Sequence, residues 1–222
     1  MRKTVMIALA SAATVAAASA PAQAESAGDV LVRVRAIDVI PNDSSGSILP
    51  SFPGEKVNVD SAIVPEIDFT YMVTDYIGLE LIAATTKHHI NGVTGTTGSI
   101  GQLASTYVLP PTLTLQYHLI PTGKFHPYVG AGLNYTFFYK DKASGGLQAA
   151  VGPTTVHLSD SFGWAAQAGM DIDVADNLFV NFDVKYIDMR TKARLNTTAL
   201  GLETVKVKIN PIVVGVGVGF RL

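Results

Sequence analysis

The chain has 222 residues, of which 48% are hydrophobic and none is cysteine, and its formal net charge is -2. The nearly neutral charge, without a basic block, argues against nucleic acid as a partner, and the missing cysteines exclude a disulfide-stapled scaffold. A chain of this length is ample for one domain.

The N-terminal segment has the order of a secretory signal peptide. Arg2 and Lys3 are positive, an alanine-rich apolar run follows, and Ala22-Gln23-Ala24 supplies a small-residue cleavage site. The run is shorter than the roughly 20 apolar residues of a retained membrane anchor. We therefore expect cleavage after Ala24, so that residues 1–24 are a signal peptide and residues 25–222 form the exported domain.

Eight segments of the exported domain alternate with a period of two, which predicts β-strands. They cover residues 29–39, 66–73, 77–85, 112–119, 126–139, 162–174, 178–189 and 212–222. In the last segment Val214, Val216 and Val218 share one face, and glycines and Arg221 occupy the other. A large apolar face with a small or polar reverse side suits a barrel strand with lipid outside and a narrow lumen inside. That segment alone leaves the last strand of a soluble β-sandwich as the alternative.

The connections between these strands alternate between short and long. The long ones are polar or glycine-rich and are predicted as loops, over about residues 41–61, 87–109, 140–160 and 191–203. A helical turn is expected at residues 147–151. Outer-membrane barrels have short periplasmic turns and long outer loops. The sequence therefore predicts an all-β fold: an eight-stranded antiparallel transmembrane β-barrel with short periplasmic turns and long extracellular loops, in the outer membrane of a Gram-negative bacterium.

Barrel closure is expected to place the last strand beside the first. An unpaired backbone group in hydrocarbon costs several kcal/mol, and only a closed barrel has no edge. Gly215, Gly217 and Gly219 would then line the same interior wall as Arg33 and Arg35. Either the glycines make room for the two arginines, or they permit the strong curvature of a small barrel.

Charged and polar side chains occupy the predicted interior face. They are Arg33, Arg35, Glu66, Asp68, Glu80, His118, Asp171, Asp183 and Lys185, with Thr114, Gln116, Asn134, Gln167 and Asn181 between them. An eight-stranded barrel is just wide enough for its side chains to fill, and charges packed there must pair. We expect either a structural ion-pair network that plugs the lower lumen or one that also determines what passes. Aqueous conduction should be small in both cases.

Several segments resemble the OmpW family of outer-membrane proteins. They are Phe69-Thr70-Tyr71-Met72, Ile77-Gly78-Leu79-Glu80-Leu81-Ile82-Ala83-Ala84-Thr85, Leu109-Pro110-Pro111-Thr112-Leu113, Pro127-Tyr128-Val129-Gly130-Ala131-Gly132-Leu133-Asn134-Tyr135 and Lys185-Tyr186-Ile187-Asp188. The likeness covers essentially the whole exported chain. It implies a barrel with a hydrophobic interior pathway for small apolar molecules and a lateral opening in the barrel wall.

Two positions depart from the family pattern. Members usually end in an aromatic residue that is read by the barrel assembly machinery, whereas this chain ends in Leu222, with Phe220 two positions earlier. Ile82 resembles part of the family's apolar constriction, but Lys185 stands where a bulky apolar group is expected. The candidate lumen and constriction residues are Ile82, Lys185, Glu80, Arg33, Arg35 and Asp183.

Two further groups of residues have competing interpretations. Proline has no N–H to donate to a β-ladder, so Pro110 and Pro111 are either simply tolerated at the start of a strand, or they weaken pairing near the outer rim and create a lateral exit. His88, His89 and His157 lie in no catalytic motif, and adjacent histidines rarely chelate one ion. We expect no enzyme activity, no metal site and no other cofactor.

The predicted function is to bind or pass small hydrophobic molecules, with lateral release into the membrane. The alternative is a structural or surface-interaction barrel, receptor-like or adhesin-like, with a closed lumen. An open apolar funnel around Ile82 would favour transport, and a filled interior would favour the structural role. The predicted partners are outer-membrane lipid, small hydrophobic solutes and the barrel assembly machinery, which would bind the C-terminal strand.

Overall fold

A computed structural model describes residues 24–222. The signal peptide predicted for residues 1–24 lies outside the described residues except for Ala24, and its removal stays a prediction. The strands are β1 (Val30–Ile40), β2 (Ser44–Ser45), β3 (Val57–Val59), β4 (Ala62–Met72), β5 (Ile77–Ala84), β6 (Thr86–Gly92), β7 (Gln102–Leu109), β8 (Thr112–His118), β9 (Phe125–Ala143), β10 (Thr154–Leu158), β11 (Ser161–Ala175), β12 (Leu178–Ile187), β13 (Arg190–Thr197), β14 (Gly201–Lys208) and β15 (Ile212–Arg221). Two short helices are α1 (Gly95–Ile100) and α2 (Gly145–Val151). No helix of the described part of the chain is long and apolar enough to cross a membrane.

Eight of these strands close into an antiparallel barrel, in the order β1, β4, β5, β8, β9, β11, β12 and β15. Closure occurs between the last strand and the first, whose register runs from Leu31 opposite Arg221 to Ile40 opposite Ile212. The predicted fold and the predicted closure are confirmed. The eight predicted strands are all present, although β4 starts earlier, at Ala62, and β12 ends earlier, at Ile187.

A belt of exposed apolar side chains surrounds the barrel. Its members on the strands nearest the closure are Val34, Ile67, Phe69, Tyr71, Phe182, Val184, Val214, Val216 and Val218. Trp164 and Tyr186 lie side by side towards the outer end, with their ring centroids 5.2 Å apart. Aromatic residues of this kind mark the interface between hydrocarbon and headgroups.

The long outer connections are not irregular loops, as the sequence had suggested. β6 and β7 form a hairpin that pairs with the outer half of the 19-residue strand β9. β10, β13, β14 and β2 form a second, four-stranded sheet. These strands and the outer half of β9 continue the wall of the barrel above the apolar belt. Together with α1 and α2, they are called the extension here. α2 includes the helical turn predicted at residues 147–151, whereas α1 was not predicted.

The glycines of β15 allow close approach of interior side chains. A Cβ at Gly217 would collide with the carbonyl oxygen of Val34 and would lie 2.8 Å from Cγ of Arg35. This contact supports the idea that Gly217 makes room for Arg35. At Gly219 the nearest neighbour of such a Cβ would be the ring of Phe179. Room-making for Arg33 by Gly219 stays a prediction.

Gly217→Leu is expected to destabilise the barrel by about 1–3 kcal/mol or more, because the new side chain overpacks the wall beside Arg35. Val216→Leu, one residue away on the lipid-facing side, should change stability by no more than about 0.5 kcal/mol. Chemical unfolding in phospholipid vesicles, followed by the heat-modifiable gel mobility of the folded barrel, measures both. Equal stability of the two variants would contradict the packing role of Gly217.

Candidate functional site

Two arginines on β1 organise a dry layer of ion pairs in the middle of the barrel. The guanidinium of Arg33 binds Asp171 at 2.6 Å and Asp68 at 3.0 Å. The guanidinium of Arg35 binds Asp68 at 2.7 Å and Glu66 at 2.8 Å. Because Asp68 bridges the two, the layer is one network, in which each charge stabilises several others.

The network continues onto β12 and β5. Nζ of Lys185 lies 2.9 Å from Glu66 and 3.2 Å from Asp183. Glu80 accepts hydrogen bonds from Thr114 and Gln167, each at 2.6 Å. The charged members of the whole network are the cations Arg33, Arg35 and Lys185 and the carboxylates Glu66, Asp68, Glu80, Asp171 and Asp183.

The ion-pair layer leaves no continuous water path through the barrel. Arg33, Asp68, Glu80 and Asp171 are completely buried, and Lys185 is 2% exposed. A second polar cluster lies below the layer, at the periplasmic end, where Glu25 contacts His118 at 2.7 Å and Asp173 contacts Arg221 at 3.3 Å. Along its axis, the lower half of the barrel is therefore filled.

The upper half contains an apolar cavity of about 920 Å³ of empty space, counting its open mouth. Glu66 and Lys185 form its floor, at the top of the ion-pair layer. Most of its walls are apolar, formed by Ile37, Ile82, Ala84, Ile90, Val108, Phe138, Leu158, Ile187, Met189, Ala193, Val205, Val207, Ile209 and Val213. The predominantly apolar lining has the character of sites that hold small apolar ligands in proteins.

A second apolar cavity lies further out, inside the extension. It comprises about 990 Å³ of empty space, again including its opening, and is walled by side chains such as Phe52, Leu103 and Leu147. Ile90, Ala193 and Val205 line both cavities. These three residues therefore lie at the boundary between the outer cavity and the inner one, and this boundary is called the neck here.

His88 keeps the wall of the inner cavity uncharged. Its side chain lines the cavity, and its Nδ1 lies 2.7 Å from the carbonyl oxygen of Asp60. Burial lowers the pKa of His88, so that the imidazole is neutral near neutral pH. Within residues 24–222, no cluster of side chains has the composition of a metal site.

The barrel wall has a gap in its hydrogen bonding beside this cavity. The β5–β8 ladder ends at Ile82 opposite Thr112, and the β6–β7 ladder begins at Thr86 opposite Val108. Between them, residues 83–85 make no ladder pair with residues 109–111. Pro110 lines the cavity at this position.

The carbonyl groups of the two prolines at the gap nevertheless accept hydrogen bonds from the neighbouring strand β9. Nδ2 of Asn134 donates to the carbonyl oxygens of Pro110 and Pro111 at 3.2 and 3.3 Å. The backbone N–H of Tyr135 also donates to Pro111. Outside the wall, the hydroxyls of Thr85 and Tyr139 lie 2.6 Å apart. The gap is therefore confined to the boundary of β5 and β6 with β7 and β8.

A family model described as the OmpW family matches residues 26–222. The chain belongs to the OmpW family. Outer membrane protein W of Vibrio cholerae serotype O1 is 37% identical over 208 residues, which cover 93% of this chain and 94% of that one. Outer membrane protein W of Escherichia coli K12 is 35% identical over 204 residues, covering 91% and 92%. The family and these relatives assign the chain to the outer membrane.

Solved structures of similar proteins agree with the barrel. The crystal structure of the outer membrane protein OprG from Pseudomonas aeruginosa has a TM-score of 0.84 and 34% identity, and the match covers 90% of this chain and 98% of that chain. The solid-state NMR structure of AlkL in lipid bilayers has a TM-score of 0.67 at 19% identity, covering 90% and 92%. The latter likeness concerns the fold alone.

The structure brings the candidate lumen residues of this OmpW-family chain together. Arg33, Arg35, Glu80, Asp183 and Lys185 all belong to the ion-pair layer, and Ile82 lies just above it in the wall of the inner cavity. Their role in passage stays a prediction.

Sequence reasoning missed some interior groups. Tyr128 and His126 are buried on the inward face of β9. Because every second residue before Asn134 shares its face, the alternation of this strand would have identified both. Glu25 and the outer cavity carried no such signal, because they lie outside the eight alternating segments.

Arg35→Met should lower the free energy of unfolding by about 3–5 kcal/mol, because it leaves Glu66, Asp68 and Asp183 without their shared cation. Val34→Met, its neighbour on the lipid-facing side, should cost no more than about 0.5 kcal/mol. Chemical unfolding in vesicles provides the comparison. If Arg35→Met were as stable as Val34→Met, the layer would not be held by its charges.

Proposed function

We propose that this barrel takes up small apolar molecules at the cell surface and releases them sideways into the outer membrane. The observation that carries the proposal is the pair of adjoining apolar cavities above a dry ion-pair layer. A solute enters the outer cavity, passes the neck at Ile90, Ala193 and Val205, and reaches the inner cavity. Each step keeps the solute in apolar surroundings.

The filled lower lumen favours a sideways exit over an axial one. An apolar solute cannot replace the hydrogen bonds of Arg33, Arg35 and Lys185, so entering their layer would leave buried charges without partners. Water is excluded from the same layer. The barrel therefore acts as a dead end for ions and for apolar solutes moving along its axis.

The gap beside Pro110 is the proposed exit. Residues 83–85 and 109–111 share no ladder bonds, so separating them breaks none. Pro110 and Pro111 have no N–H, which means that opening the wall exposes fewer unpaired donors to lipid. Ala83 and Ala84 on the opposite side of the gap are small.

The alternative is a structural or surface-interaction barrel with a closed lumen. In such a barrel, side chains would fill the upper interior. The empty space around Ile82 favours transport instead. The polar network below then has two roles, since it stabilises the barrel and blocks the axial route.

Ala193→Trp should abolish uptake, because the indole would fill the neck that joins the cavities. The measurement is the rate of naphthalene entry into cells that have no other protein of this family. Ala36→Trp, which faces lipid, is the matched control and should keep the parental rate. Unchanged uptake in folded Ala193→Trp would contradict the route through the neck.

Replacing Pro110 and Pro111 together by valine should slow naphthalene uptake severalfold, because both new residues can donate hydrogen bonds across the gap. Pro65→Val makes the same change in β4, away from the cavity, and should have no effect. Naphthalene binding to the purified double variant should be retained, since the cavity itself is intact. Parental uptake in the double variant would argue against this exit.

A further inference from the structure

The outward face of the second sheet carries a concentrated set of positive charges. The cavity-facing residues of β13 and β14 include Ala193, Val205 and Val207, so the residues that alternate with them point away from the barrel. The cationic residues of this outward set, called the basic face here, are Arg190, Lys192, Arg194, Lys206 and Lys208.

Like charges lie directly opposite each other on this face. Arg190 pairs across the strands with Lys208, and Lys192 pairs with Lys206. Directly opposed like charges destabilise a sheet. Among the described residues, the only carboxylate within ion-pair distance of the basic face is Asp188, 3.0 Å from Arg190. No carboxylate in residues 24–222 lies within ion-pair distance of the other four cations.

Two lysines elsewhere on the extension have aromatic partners. Lys87 and Lys140 both lie against the ring of Tyr107, at 5.9 and 5.4 Å from its centroid. These contacts provide cation–π partners within the protein. The basic face is thus distinguished by its unrelieved repulsion, and not merely by the presence of lysine.

The height of the basic face relates it to the membrane. Tyr186, which contacts Trp164, pairs with Ile212 at the outer end of the apolar belt. Arg190 follows Tyr186 by four residues, about 13 Å along an extended chain and less in height because barrel strands tilt. The first cationic pair therefore lies next to the polar headgroups, directly above lipid-facing side chains.

We propose that the basic face binds the phosphate groups of a phosphorylated glycolipid in the outer leaflet. Two opposed pairs place four cationic heads within about 7 Å of their neighbours, close enough for one or two phosphates to contact all of them. The lysines supply compact charges, and Arg190 retains Nη1 outside its pairing with Asp188. The acyl chains of the same lipid lie along the apolar belt below. This continuity with the belt favours a lipid over a soluble anion.

The test measures binding of lipid A in mixed micelles by native mass spectrometry of the folded chain. The triple variant K192Q/K206Q/K208Q should bind bisphosphorylated lipid A at least about tenfold more weakly than the parent. The matched control K56Q/K87Q/K142Q removes the same charge from the opposite side of the extension and should bind like the parent. Equal losses in the two triple variants would overturn a localised site.

Two further arms use the unaltered protein, so that the proposal does not depend on the variants folding. Dephosphorylated lipid A should bind at least about tenfold more weakly than the bisphosphorylated form, and the difference should shrink as salt is added. Equal binding of the two lipids would overturn the phosphate contact. Full displacement by inorganic phosphate would assign the face to soluble anions and overturn the lipid. Heat-modifiable gel mobility checks that each variant is folded.

Discussion

Hydrogen-bond closure of the wall is the constraint on which the rest of this structure depends. The hydrocarbon layer offers no partner to a backbone N–H or C=O group, so each strand in it must be paired on both sides. The pairing of β15 with β1, over ten residue positions from Leu31 to Ile40, meets that requirement at the chain ends. Once the wall is closed, the pleat divides the side chains into a lipid-facing set and an enclosed set. The alternation of the sequence follows from this division.

Closure also determines the chemistry inside. Charges enclosed by an eight-stranded wall have little water, and each must find its partners among the others. Arg33 and Arg35 lie two residues apart on β1, and their carboxylate partners come from β4, β5, β11 and β12. Such a network is complete only as a compact layer. It leaves the space above it to apolar side chains, and the boundary between the two lies at Lys185 and Glu66.

The sequence is informative where the membrane enforces a simple rule, and much less so elsewhere. Strand positions and the inward parity of residues such as Glu80 and Lys185 could be predicted, because each strand meets lipid on one face. The extension was misjudged as loops, since its outward residues, such as Lys206 and Asn196, are polar and its turns are rich in glycine. Thr191, Ala193 and Leu195 do alternate with outward residues, but those outward residues are polar and lack the apolar character of a lipid-facing strand face. Residue patterns did not predict the cavities, because empty space depends on how side chains from non-adjacent strands fit together; only the family resemblance implied an apolar interior pathway.

The gap at Pro110 can exist because it satisfies the closure constraint in another way. Ala83 and Ala84 remain paired with β4, and Leu109 remains paired with β9, so neither strand is left as a free edge on both sides. The two prolines have no N–H groups that would need partners, and Asn134, whose side chain faces the barrel interior, donates hydrogen bonds to their carbonyl oxygens. A wall built this way separates at the gap with a smaller loss of hydrogen bonds than at any regular ladder. In the proposed route, Ala84 and Pro110 beside this gap also line the cavity behind it, so an apolar solute reaches the wall where separating the strands costs least.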